Sequence, residues 1–222
     1  MRFSGRAGGL RQAVDELGAH VHTALRDGGL EADLLLEVAC LVEEWSVSTP
    51  ATRELLERPT AELTAADLVR LGEALLGETG FRPTFALEPG LLAPFEEALK
   101  VVERDVRASG ISGTLQMILP DGDVMGMAWV EFDGTCQGNC VRPGDDALWS
   151  VADATQEVVM ERIWRVWPVC PTHDLGLHAD TEDGTVVWRC EGDGTHTVAP
   201  VGELPRQGEQ RARRRAAPAR NR

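Results

Sequence analysis

The chain has 222 residues, 43% hydrophobic and 26% charged, proportions that let a protein of this length bury a core without disulfide staples. Its formal net charge is −14, and because residues 205–222 hold seven arginines against one glutamate, the other 204 residues carry −20. An acidic body of that size repels nucleic-acid phosphates and argues against a duplex-reading surface.

No stretch approaches the ~18 continuous apolar residues of a membrane span. The basic start Met1–Arg6 has no apolar run behind it, so no secretory signal is expected and a cytoplasmic location is. Residues 1–9 read as a flexible terminus. From Leu10, the spacing of Val14, Leu17, Val21 and Leu25 predicts a helix that ends at Gly28-Gly29. A second helix, about Glu31 to Trp45, is apolar most of the way round, as the central helix of a bundle would be. Ser48-Thr49-Pro50 signals a third helix that must stop before Pro59. Thr64 with Asp67 resembles a capping box opening a fourth, ending near Gly77. After a loop over 78–90, Pro94 opens a fifth helix with Phe95, Leu99, Val102 and Val106 inward and Gly110 at its close.

At Ile111 the period changes. Thr114–Leu119 and Val124–Phe132 read as a hairpin about the turn Pro120-Asp121-Gly122-Asp123, and 133–146 as a Gly/Asp-rich loop. Leu148, Val151, Ala152, Val159 and Ile163 mark a helix ending near Trp167-Pro168, preceded by a cap at Asp145-Asp146. Two brief strands, Thr185–Arg189 and His196–Ala199, follow. The fold class expected is α+β: a helical bundle over 10–110, an α+β region over 111–204 ending in a small module at 168–204, and a disordered Arg-rich tail at 205–222.

The five cysteines are Cys40, Cys136, Cys140, Cys170 and Cys190. An odd number in a chain with no expected export signal points to buried thiols or metal ligands rather than disulfides. Three of the five histidines lie close to two of these cysteines, and Cys170, His173, Cys190 and His196 spell C-x2-H-x16-C-x5-H. Thiolate and imidazole both suit zinc, which takes about four ligands in a tetrahedron. Pro171 favours a tight turn within the first pair. Asp183-Gly184 is a hairpin signal that would return Cys190 to that pair, with His196 closing the site from the next strand.

Over residues 168–200 this pattern resembles a zinc ribbon or treble-clef-like knuckle. Two features depart from the ribbon: histidine replaces the second cysteine of each pair, and five residues rather than two separate Cys190 from His196. His178 and Asp193 therefore stand as competing ligands. The segment Cys-Pro-x-His followed by Trp-x-Cys also resembles tails of uncharacterised actinobacterial proteins, a likeness that implies no activity. Arginine used at every basic position but Lys100, with no tyrosine, fits the same bacterial, GC-rich expectation. The bland alternative is two buried thiols beside surface histidines.

Cys136 and Cys140 lack the C-x-x-C spacing of redox motifs and read as loop thiols, or as rivals for the metal in an all-cysteine set with Cys170 and Cys190. Cys40 is expected in the core, and His20 and His22 on the surface. Turn and cap roles account for the carboxylates at 121, 123, 131, 133, 145 and 146, with no paired acid of shifted pKa in view. There is no G-x-S-x-G, P-loop or dinucleotide fingerprint. Trp149, Trp164, Trp167 and Trp188 gather around the proposed site and are expected to cover a module too small for a core of its own. The function expected is that of a non-catalytic zinc-binding interaction or adaptor protein with an unknown protein partner. The alternatives are a metal-dependent enzyme with Asp174, Asp180 or Glu191 as base, and a regulator that touches nucleic acid through Arg211–Arg215 of the tail.

Overall fold

A computed structural model describes residues 4–45, 47–120 and 126–206. The expected turn at 121–123 and the tail from 207 onward lie outside them. The fold is α+β: among the described residues five α-helices come first, and a sixth lies between two small three-stranded antiparallel sheets. The chain divides into two compact units, Met1–Pro83 and Thr84–Arg222. Among the described residues no helix is long and apolar enough to cross a membrane.

The first unit holds α1 (Ser4–Asp27), α2 (Ala32–Glu44), α3 (Pro50–Glu57) and α4 (Ala65–Thr79). Helix α2 packs against the other three, as its all-round apolar character predicts. Leu35, Val38, Ala39 and Val42 of α2 meet Val14, Val21, Leu55, Leu71 and Leu75 in one core. Thr49 and Thr64 cap α3 and α4 in reciprocal boxes with Thr52 and Asp67. The structure corrects four expectations. Helix α1 begins at Ser4 rather than Leu10: residues 4–9 contain no proline, so the backbone hydrogen bonding of the helix can extend through them despite three glycines. Helix α4 runs through Gly77 and ends at Gly80, which takes the left-handed cap. Cys40 is exposed, since α2 buries only the stripe through Leu35, Val38, Ala39 and Val42. His22 is half-buried and lies against the Phe81 ring.

The fifth helix, α5 (Ala93–Ala108), belongs to the second unit rather than to the bundle expected over 10–110. Its inward stripe packs on α6 (Ala147–Ile163) and on β1 (Leu115–Ile118). The first sheet has the order β1, β2 (Ala128–Phe132), β3 (Thr135–Val141). Strand β3 occupies residues read as loop from sequence. Asp133-Gly134, both with positive φ, form a two-residue turn that pairs Phe132 with Thr135. A register shift between Trp129 and Glu131 takes up two additional residues on β3, since Trp129 pairs with Cys140 and Glu131 with Cys136. The buried alternation in β2 is Ala128, Val130 and Phe132, so Met127 and Trp129 lie on the other face, only partly covered.

The second sheet is β4 (Leu177–Glu182), β5 (Thr185–Cys190) and β6 (His196–Pro200), in that order. Asp183-Gly184 joins β4 to β5 with φ of 50° and 77°, the geometry of the expected hairpin turn. Helix α6 is capped by Asp146 and contacts both sheets, giving the second unit a single core.

One acid in that core escaped sequence reasoning. Asp105 of α5 is fully buried. It accepts from Trp188 Nε1 at 2.6 Å, Gly202 N at 2.6 Å and Leu204 N at 2.7 Å. Burial pushes its carboxyl up from the ordinary range, and the three donors oppose that rise. Asp105 thus fastens α5 to β5 and to the chain leaving β6. Gln156 of α6 makes a parallel bridge, donating to the carbonyls of Trp167 and Leu177 on either side of the knuckle.

Candidate metal centre

The segment between α6 and β4 is folded on itself. Val169 bridges Gly176, Cys170 N donates to Leu175 O at 2.8 Å, and Asp174 N donates to Cys170 O at 3.0 Å. Asp174 takes a left-handed φ of 61°, which aspartate tolerates better than most residues. This turn sets Cys170 and His173 on one knuckle. Cys190 closes β5, where its register partners are Leu177 on one side and His196 on the other. Antiparallel partners project from the same face of a sheet, so β5 and β6 deliver Cys190 and His196 to the knuckle together. The five residues between them form a loop with Gly194 at φ 78°, and the pairing holds despite the departure from ribbon spacing.

The four donor atoms lie within 4.8 Å of one another. His173 Nδ1 is 3.4 Å from Cys190 Sγ and 3.8 Å from Cys170 Sγ, and His196 Nε2 is 3.6 Å from Cys170 Sγ. Zn–S and Zn–N bonds of ordinary length in a tetrahedron set sulfur and nitrogen about 3.6 Å apart. Both cysteines are fully buried and both histidines half-buried, so the sulfurs face inward and the imidazoles close the outer side. The group can hold a metal ion.

The surroundings fit such a group. Gly192 N lies 3.4 Å from Cys190 Sγ and donates to it. His196 Nδ1 lies 3.3 Å from Gly194 O, a contact that favours the proton on Nδ1 and leaves Nε2 free to ligate. A Cβ at Gly192 would come within 2.5 Å of His173 Nδ1, so only glycine lets the imidazole reach its position. Burial pushes the Cys190 thiol up from its usual range, with Gly192 N–H opposing and Cys170 and Glu191 adding to the rise. A divalent cation among the donors would reverse that balance and hold both sulfurs as thiolates.

The rival ligands sit elsewhere. His178 alternates with Leu177 and faces away from Cys190, beside Glu191 at 3.7 Å. Cys136 and Cys140 are on β3 of the other sheet, and Cys140 Sγ meets Met127 Sδ at 3.1 Å. Asp193 is not in the converging group, and among the described residues no carboxylate is. Of the bases considered for an enzyme, Asp180 is held by Arg189 Nε at 2.6 Å, and Glu191 faces His178. Trp167 and Trp188 do cover the knuckle, buried and edge-to-face at 5.6 Å. Trp149 and Trp164 do not, being exposed.

No family model, curated protein or solved structure matches this chain. The likeness to a zinc ribbon thus rests on the four-residue cluster alone.

Proposed function

We propose that Cys170, His173, Cys190 and His196 bind one zinc ion as a structural site, in a non-catalytic protein that works through interaction with a protein partner. The observation that carries this reading is the convergence of two buried sulfurs and two imidazole nitrogens at the separations a tetrahedron requires. Four protein ligands leave no position for substrate or for an activated water, which favours a structural over a catalytic ion. The interaction role is supported by the same closed site and by apolar side chains left exposed beside it.

Cobalt(II) substitution tests the closed site. The expected spectrum is that of tetrahedral cobalt with sulfur-to-metal charge transfer, displaced by zinc and unchanged when azide or cyanide is added. A spectrum that responds to azide would mean an open coordination position and an enzyme. A spectrum lacking the thiolate band would remove the two cysteines from the site.

A further inference from the structure

The three most exposed large hydrophobic side chains among the described residues fall within twelve positions: Trp164, Val166 and Leu175, exposed by 83%, 58% and 50%. They form a connected surface, since Val166 lies against Gly176, next to Leu175. Trp164 is the C-cap of α6 with φ 55°. Helices usually give that left-handed position to glycine, and bulky residues rarely adopt it. Such strain tends to persist at sites where a side chain is held out for binding. The indole and Val166 line a shallow concave surface together with Met160, two carboxylates, Glu157 and Glu161, and one cation, Arg165. An aromatic face beside carboxylates suits a guanidinium group, which can stack on the ring while pairing with the acids.

We propose that this surface docks the chain's own arginine-rich C-terminal segment, residues 207–222, in cis. Two observations favour that occupant. The segment carries six arginines and one glutamate, in a protein whose remainder is strongly acidic. Its start is also linked to this surface through a short series of packed residues in the same unit. Leu204 is held to Asp105, Asp105 holds Trp188, and Trp188 packs on Trp167, three residues from Trp164. Arg211 to Arg215 follow Arg206 by five to nine residues, a reach of roughly 17 to 31 Å for extended chain. The segment thereby covers the apolar face.

The test reads the six tryptophan indole N–H resonances of the full-length, 15N-labelled protein, with that of Trp164 assigned by its loss in Trp164→Phe. The comparison is a full-length variant carrying R211Q, R213Q, R214Q and R215Q. The expected result is a shift of the Trp164 resonance between the two proteins, independent of protein concentration and abolished in the wild type by about 1 M salt, as a largely ionic contact requires. Coincident Trp164 resonances would overturn the proposal. So would a shift confined to other indoles, which would place the segment elsewhere, or one that fades on dilution, which would mean docking onto a second copy.

Discussion

Asp105 and Gly192 show how much single residues decide here. Asp105 satisfies three N–H donors at once, those of Trp188 and Leu204 buried and that of Gly202 half-buried. Truncation to alanine strands all of them, and leaving a buried donor unmatched costs ~1–3 kcal/mol each. Three such losses sum to about 3–9 kcal/mol, and relief of the carboxylate's own burial offsets the upper part of that range, so Asp105→Ala is expected to destabilise the second unit by about 3–5 kcal/mol, read as a lower urea midpoint of Trp188 burial. A loss below about 1 kcal/mol would mean that water replaces the carboxylate. The residue was legible in principle, because Ala98, Val102 and Asp105 share the helical stripe that α5 buries. An acid on an amphipathic helix is ordinarily assigned to the solvent face, and only the N–H groups of the Trp188 side chain, Gly202 and Leu204 reverse that. Gly192→Ala pushes a methyl group into the His173 ring. It is expected to weaken metal binding about 10- to 100-fold, as loss of a ligand's supporting contacts commonly does. Unchanged affinity in a chelator competition would show that His173 is not a ligand.

At the scale of elements, the sequence was clearest where a local signal fixes a local geometry. Thr49 and Thr64 mark their helix starts, Asp183-Gly184 marks its turn, and Asp146 caps α6. Asp133-Gly134 is the same signal, but the polar, glycine-containing β3 that follows hides it. Helix α5 carries a correct apolar stripe, yet a stripe does not name its partner, and its true partners lie after it in the chain. Likewise C-x5-H looks wrong for a ribbon until the pairing of Cys190 with His196 absorbs the extra residues into a loop. The Thr64–Asp67 box gives a pH prediction. Hydrogen bonds from the Thr64 side chain and backbone, then Arg58, hold the Asp67 carboxyl far below its ordinary range. Its folded pKa lies below the unfolded value, so its contribution is present above about pH 4 and is lost as pH falls further. The urea midpoint of helix loss in the first unit should therefore fall in Asp67→Asn at pH 7. The gap to wild type should narrow at pH 3. An equal gap at both pH values would contradict the assigned role.

The molecule as a whole consists of two units with separate hydrophobic cores, and the four-donor group lies in the second. A bound ion stabilises only the fold that presents its ligands. Chelator added to the full-length protein should lower the thermal transition of the second unit, followed by Trp167 and Trp188, and leave the helical transition of the first in place. Whether the four donors hold an ion is decided by elemental analysis of untagged protein purified without chelator under reducing conditions, alongside Cys170→Ser and His196→Ala. The expected content is about one zinc per chain in the wild type, lost in both variants. A wild type without stoichiometric metal, or zinc retained in full by Cys170→Ser, would contradict it.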